Sequence, residues 1–189
     1  EGIESLIRKR ANWIAENQVY HNPESALHGG ILLTNNGTGQ VVTEPEEYSG
    51  ASGIECSLAD ALFLAEKNTL YPDRREIQIL DSYVHDFLLD DVQNPGDMSV
   101  GSVLSEGTGV GAYAGRPLTY PDVINLYHAM YRIAATYGET QQKPRVYLRR
   151  ACQTAVAMFR FGWRHYVRTV GVLGWARIYE VLEDARKED

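Results

Sequence analysis

The chain has 189 residues, of which 44% are hydrophobic and 10% aromatic, and its net charge is −7. This composition is that of a globular protein with a sizeable core, and it excludes an intrinsically disordered chain. The sequence contains no apolar run of the roughly 20 residues that a membrane-spanning helix needs, so we predict no membrane partner.

Apolar residues recur at helical spacing, close to one every 3.6 residues, in six segments. In chain order, the residues that mark the predicted helices are Ile3, Leu6, Ile7, Trp13 and Ile14; Leu58, Ala61, Leu62 and Ala65; Ile77, Leu80, Val84, Phe87 and Leu88; Val123, Ile124, Tyr127, Met130, Tyr131, Ala134 and Tyr137; Val146, Ala151, Cys152, Ala155, Val156 and Phe159; and Trp175, Ile178, Tyr179 and Leu182. We therefore predict a mostly α fold.

Local signals mark several helix ends. The stretches Ser57–Asp60 and Asp73–Glu76 have the pattern of a capping box, in which a side chain near the start of a helix accepts a backbone N–H. Pro121 suits the first turn of the fourth helix, and Gly138 suits its end. Between the first two helices, the apolar runs ILL and QVV flank the turn-forming NNGTG, which predicts a short β-hairpin near residues 31–42.

The predicted helices are joined alternately by short and long connections. This alternation favours stacked αα-hairpins with the long loops gathered at one end. Six such hairpins would close into an (α/α)6 toroid, whereas three leave apolar edges that need a partner. We interpret residues 1–189 as a single α-helical domain that is a fragment of a larger toroid, or that assembles with further domains or copies of itself.

The most specific local motifs are Phe63–Asn68 (FLAEKN) with Tyr71-Pro72, and Tyr120-Pro121 leading into Tyr131–Ala134 (YRIA). On these motifs, residues 44–165 resemble a bacterial family of uncharacterised proteins of the six-hairpin glycosidase type. The resemblance implies an (α/α)6 toroid, often attached to a β-sandwich, that acts on oligo- or polysaccharides. It also favours a secreted or periplasmic location, and it supplies no catalytic pair.

Glycoside hydrolysis usually requires two carboxyl groups, one as the acid and one as the base or nucleophile. The catalytic candidates are three carboxylates on the predicted loops: Glu55, Asp97 and Glu106. Asp97 and Glu106 lie next to glycines, which allow the backbone to approach a ligand closely, although aspartates also initiate turns. Glu47 is a substrate-binding candidate whose alternative is a solvated acidic run.

Aromatic rings offer sugars an apolar surface, and a histidine can carry a proton near neutral pH. The substrate-binding candidates of these two kinds are Tyr48, Tyr113, Tyr120 and Trp163 as stacking residues and His128 as a proton carrier. The alternative for His128, in the middle of a predicted helix, is a hydrogen-bonded histidine between helices. The remaining tyrosines of that helix, Tyr127, Tyr131 and Tyr137, are predicted to lie in the core.

Residues 140–179 contain eight basic side chains and no acidic one. Such a block binds an anionic ligand or pairs with the acidic part of its own fold, and the second is favoured. Nucleic acid is not a predicted partner, because the chain is negative overall and the aromatics of the block share an apolar face. The histidines and cysteines show neither HxxxH nor CxxC spacing, so no metal or other cofactor is predicted.

These observations lead to a glycoside hydrolase that uses paired carboxylates on loops at the toroid mouth. Two alternatives stay open. One is a non-catalytic carbohydrate-binding or structural module, in which loops 36–56 and 91–120 hold the sugar. The other is a polysaccharide lyase on uronic-acid glycans, in which Arg145, Arg149 or Arg164 neutralises the uronate.

Overall fold

The computed structural model describes residues 2–43, 55–101, 103–105, 109–111, 119–162 and 175–188. These residues are mostly helical, as predicted. The helices, in chain order, are α1 (Ile3–Asn17), α2 (Glu55–Leu70), α3 (Arg74–Ser82, continued by a π-helix over Tyr83–Val92), α4 (Thr119–Tyr137), α5 (Pro144–Ala157, continued by a π-helix over Met158–Gly162) and α6 (Trp175–Glu188). Each apolar pattern in the sequence corresponds to one of them.

Two of the predicted helix ends are confirmed. The Glu76 N–H donates to Asp73 Oδ1 at 3.1 Å, so Asp73 caps α3. Gly138, with φ of +65°, follows the last residue of α4, where a left-handed conformation favours glycine. None of the helices in the described part of the chain is long and apolar enough to cross a membrane.

The predicted cap at Ser57–Asp60 is wrong, because α2 already begins at Glu55. The Ser57 hydroxyl donates to the Ile31 carbonyl. Asp60 accepts hydrogen bonds from Gln18 at 2.7 Å and from Arg10 at 2.9 Å. Both side chains therefore fasten the segment that follows α1 to the start of α2.

The short β structure lies between the helices. A short β-hairpin was predicted near residues 31–42, but residues 31–42 form no strand. The chain reverses there through a single antiparallel bridge between Thr34 and Val41, and the Val42 N–H donates to the Leu33 carbonyl at 2.8 Å. A second antiparallel pair, β1 (Val103–Ser105) with β2 (Gly109–Gly111), lies in the long connection before α4. The sequence predicted a loop in that connection, and this strand pair was not predicted.

Helices α2, α4 and α6 run in the same direction. The Tyr137 hydroxyl donates to the Thr69 carbonyl at 3.3 Å, which places the C-terminal ends of α4 and α2 side by side. The Tyr131 hydroxyl lies 3.3 Å from Glu188 at the end of α6. Helix α5 runs in the opposite direction, because Arg145 in its first turn donates to the same Glu188 at 2.9 Å.

This alternation of direction separates the connections into two groups. The short links 71–73 and 138–143 lie at one end of the helices, which we call the closed end. The chain leaves α1, α3 and α5 and enters α2, α4 and α6 at the opposite end, which we call the loop end. The helix ends that flank residues 18–54, 93–118 and 163–174 all lie there. Helices α2 and α3 form one pair joined by a short link, and α4 and α5 form another.

Helix α4 lies at the centre of the stack. Twelve of its 19 residues are buried, and it packs against α2, α5 and α6. Its Tyr127 hydroxyl donates to Gln93 Oε1 at 2.8 Å, and Gln93 Nε2 donates to Thr154 Oγ1 at 2.8 Å. This chain of buried hydrogen bonds joins the end of α3 to α4 and α5. Tyr127 is fully buried, while Tyr131 and Tyr137 pack against the core, as predicted.

A buried ion pair joins α2 to α3 at the closed end. Lys67 Nζ lies 2.6 Å from Glu76 Oε2, and the Asn68 amide donates to the same oxygen at 2.8 Å. All three residues are buried. A charge without its partner at this site would be very costly, because water cannot replace the lost contact.

We expect Glu76→Leu to lower the free energy of unfolding by about 3–5 kcal/mol, because it leaves the Lys67 ammonium buried and unpaired. The double variant Lys67→Met/Glu76→Leu is expected to recover part of this loss, since no charge remains in the site. The midpoint of urea unfolding, at constant m-value, measures both effects.

The matched control is Glu4→Gln, which removes the exposed pair of Glu4 with Arg8 at 2.9 Å. It should change the stability by less than about 0.5 kcal/mol. A Glu76→Leu variant as stable as this control would show that the buried pair does not hold the two helices together.

Candidate functional site

Asp97 is the catalytic candidate whose surroundings the structure defines. It is exposed on the turn that follows α3, where Gln93 and Val100 form an antiparallel bridge. The Ser99 N–H donates to Asp97 Oδ1 at 2.9 Å. Hydrogen bonds from the Ser99 side chain and backbone lower the pKa of Asp97, and the nearby positive charge of Arg160 acts in the same direction. A carboxyl group with a lowered pKa suits the base or nucleophile of a glycosidase better than the acid.

Most of the other loop candidates fall outside the described part of the chain. Those residues are Glu47, Tyr48, Glu106, Tyr113 and Trp163. Glu55 is the first residue of α2, and its side chain also lies outside what the structure describes. These candidates stay predictions.

Tyr120 does not fit the predicted stacking role. Its side chain is fully buried in the first turn of α4, and its hydroxyl accepts the Val100 N–H at 3.3 Å. Burial raises the pKa of this hydroxyl. A ring without an exposed face cannot stack on a sugar, so Tyr120 belongs to the core and supports the turn that carries Asp97. Its helical spacing from Ile124 and Tyr127 was the signal for this role.

His128 makes a hydrogen bond between two helices, which was the predicted alternative to its role as a proton carrier. Its ring is almost completely buried, and Nε2 lies 2.9 Å from Asp184 Oδ2 on α6. The ring also stacks on Tyr131, with ring centroids 5.9 Å apart and an interplanar angle of 13°. His128 thus joins α4 to α6.

The same histidine contributes to a small open pocket between α4 and α6, which we call the α4–α6 pocket. Its volume is about 250 Å³. The lining residues are His128, Arg132, Tyr179, Glu180, Glu183, Asp184 and Lys187. Tyr179 is 58% exposed, whereas His128 is only 3% exposed. The pocket therefore combines a fixed polar floor with an accessible aromatic ring.

Asp184 holds the centre of this pocket. Lys187 Nζ lies 2.8 Å from Asp184 Oδ1, on the opposite side of the carboxylate from His128. The hydrogen bond from Lys187 is the main cause that lowers the pKa of Asp184, and the bond from His128 adds to it against the effect of burial. Ionised Asp184 thus fixes the ring of His128.

Beside the pocket, charged side chains connect three helices across one face. Glu66 of α2 lies 3.5 Å from Arg132 of α4 and 3.5 Å from Arg177 of α6. Arg132 belongs to both the pocket and this bridge, so the pocket is continuous with a face formed by α2, α4 and α6.

Of the lining residues, His128 was predicted from the sequence as a substrate-binding candidate, and the others were not predicted. Tyr179 and Glu183, four residues apart, share one side of α6, as do Glu180 and Asp184. That spacing was a usable signal for a polar helix face. The contact of this face with α4 joins His128 to a residue 56 positions away, and no local pattern indicates it.

The basic block pairs with the protein's own acidic residues where the structure describes it. Arg145 binds Glu188 at 2.9 Å, and Arg177 lies 3.5 Å from both Glu66 and Glu180. Internal pairing, the favoured reading, is confirmed for these two arginines. Arg164 lies outside the described residues. Within those residues, no group of three or more His, Cys, Asp or Glu side chains is arranged to hold a metal ion.

A family model described as a family of unknown function (DUF5695) matches residues 109–189. The match spans β2 and α4 to α6 and therefore includes both sides of the α4–α6 pocket. No curated protein matches the chain, and no solved structure does.

We expect Asp184→Asn to lower the free energy of unfolding by about 1 kcal/mol at pH 7, because it weakens the bonds to His128 and Lys187. The folded-state pKa of Asp184 is below its ordinary value. The contribution of Asp184 to the free energy of unfolding is therefore complete above its pKa of about 3.9 in the unfolded chain. It disappears as the pH falls through its lower pKa in the folded protein. The urea midpoint of Asp184→Asn should lie below that of the unmodified chain at pH 7, and the difference between the two midpoints should be smaller at pH 3.

The control for this pH dependence is Glu16→Gln, which removes an exposed carboxylate 3.6 Å from Arg75. It should have little effect at either pH. A destabilisation by Asp184→Asn that is the same at pH 7 and pH 3 would contradict the role of the ionised carboxylate.

Proposed function

We propose that the protein is carbohydrate-active and acts as a glycoside hydrolase on oligo- or polysaccharides, with paired carboxylates at the loop end of an (α/α)6-type frame. The observation that carries the proposal is that the helix ends flanking residues 18–54, 93–118 and 163–174 lie together at this one end. Loops that a rigid helical frame presents together are a common place for binding and catalysis. The likeness of residues 44–165 to six-hairpin glycosidases supplies the class of substrate.

Asp97 supports a hydrolytic role in particular. Its carboxylate is exposed at the loop end, it is oriented by Ser99, and its lowered pKa keeps it ionised in mildly acidic solution. We assign it the part of base or nucleophile. The acid would be Glu106 or Glu55, the other two catalytic candidates from the sequence, since two different segments can place one carboxyl group on either side of a glycosidic bond.

The edges of the stack support a larger assembly. On α1, Ile3 is 77% exposed and Leu6 54%; on α5, Val156 is 68% exposed. Apolar side chains exposed on these two helices are what a fragment of a toroid, or a chain that assembles with further domains or copies, would present.

A non-catalytic carbohydrate-binding module is the second candidate, and one observation favours it. The bond from the Ser99 N–H to Asp97 is the contact that a purely structural aspartate makes when it stabilises a turn. In this case the loop end would hold sugar without cleaving it.

We expect Asp97→Asn and Glu106→Gln each to lower the rate of reducing-end release by about 100-fold or more, because each removes one member of the carboxylate pair. The assay uses the purified chain, and any longer natural protein that contains it, against neutral and uronic-acid polysaccharides. The control is Glu139→Gln, an exposed carboxylate 3.7 Å from Arg74 at the closed end, which should keep full activity.

The outcomes separate the candidate functions. Full activity in both carboxylate variants would overturn the site assignment. Sugar binding without release of product would favour the binding module, and an unsaturated product that absorbs in the ultraviolet would indicate a lyase.

A further inference from the structure

We infer that the α4–α6 pocket binds a single neutral sugar ring, with Tyr179 as the stacking surface. The inference takes its class of ligand from the proposed function, but it concerns a different place in the molecule. The pocket lies between α4 and α6, whereas Asp97, the described member of the proposed catalytic pair, lies on the turn that follows α3. It would hold a part of the glycan that is not cleaved.

The charges that line the pocket favour a neutral ligand. Each charged lining residue has an opposite partner within 4 Å: Asp184 with Lys187, Glu183 with Arg186, Glu180 with Arg177, and Arg132 with Glu66. A charged ligand would have to displace one of these partners. A hydroxyl group need not do so, because a carboxylate has about four acceptor positions and a guanidinium has five N–H donors. Hydroxyl groups of a ligand can therefore bond to the carboxylate acceptor positions and the N–H donors that the ion pairs do not occupy.

The exposed ring of Tyr179 adds an apolar surface beside these polar groups. Ligands that combine an apolar face with several hydroxyl groups at its edge match this arrangement, and a pyranose ring is such a ligand. The ring of Tyr179, 58% exposed, offers stacking area at a low cost in side-chain order. A simple polyol lacks the flat apolar face and would not use it.

The size and rigidity of the pocket point to one ring. Its volume of about 250 Å³ lies below the roughly 300–1,000 Å³ of pockets that hold drug-sized ligands. Its floor is fixed by contacts within the protein, because His128 is buried and bonded to Asp184. Binding thus requires little ordering of the floor, which reduces the cost of association.

The test compares the chain with its variants Tyr179→Ala, Tyr179→Phe and Leu182→Ala. Leu182 is 51% exposed on the same helix and does not line the pocket, which makes it the matched control. The probes are methyl glucopyranosides, methyl galactopyranosides and N-acetylglucosamine, followed by saturation-transfer NMR and titration. Glycine and calcium chloride serve as zwitterionic and cationic probes.

We expect at least one glycoside to bind the unmodified chain, and Tyr179→Ala to raise its Kd by about tenfold or more, through loss of the stacking contact. Tyr179→Phe and Leu182→Ala should each stay within about twofold of the unmodified chain. Circular dichroism should show the same helix content in all variants, since both positions are exposed.

The inference is overturned if no glycoside binds, if Tyr179→Ala binds as tightly as the unmodified chain, or if only glycine or calcium binds in a way that depends on Tyr179. The result is distinguishable from that of the proposed function. Binding that depends on Tyr179 without release of reducing ends would refute the hydrolase and keep the sugar site. Hydrolysis without binding that depends on Tyr179 would keep the hydrolase and refute the sugar site.

Discussion

The structure depends on the burial of α4. Twelve of its 19 residues are buried, so the helix is stable only when neighbours cover it on several sides. Helices α2, α5 and α6 provide this cover, and the end of α3 joins it through Gln93, which accepts from Tyr127 and donates to Thr154. The helix ends that flank residues 18–54, 93–118 and 163–174 lie at one end of this packing, and the α4–α6 pocket forms where α6 leaves part of α4 accessible.

Buried carboxylates make the closed end rigid. Glu76 accepts from Lys67 and Asn68 beside the 71–73 link, and Asp81 accepts from the Gln141 N–H at 2.6 Å and from the Tyr147 hydroxyl at 2.5 Å beside the 138–143 link. Each of these carboxylates joins residues from two helices or from a helix and a link. A closed end held in this way lets the connections at the opposite end vary in length and composition without disturbing the core, which is the usual division between scaffold and functional loops.

The helices could be predicted from sequence because their signals are local. Periodicity located each of the six helices in the described part of the chain, and the side chain of Asp73 and the conformation of Gly138 marked two of their ends. The wrong predictions concern side chains whose roles are set by contacts with distant parts of the chain. Asp60 is of a residue type that caps helices, but its carboxylate accepts hydrogen bonds from Gln18 and Arg10. Tyr120 is of a residue type that stacks on sugars, but its ring is buried in the core. Only His128 of the pocket was identified, because the alignment of α4 with α6 is set by packing over a separation of 56 residues.

Two groups of acidic residues thus contribute differently to the stability of the fold. Glu76 and Asp81 are buried, and the loss of either leaves buried polar groups without partners, which costs several kcal/mol. Glu66, Glu180 and Glu183 remain about 30–53% exposed in their ion pairs, and pairs of this kind contribute about 0–1 kcal/mol. The face formed by α2, α4 and α6 can therefore change its side chains without loss of the fold. A loss of ligand binding in a variant of Tyr179 or of these acidic residues consequently reports on the face itself and not on the frame beneath it.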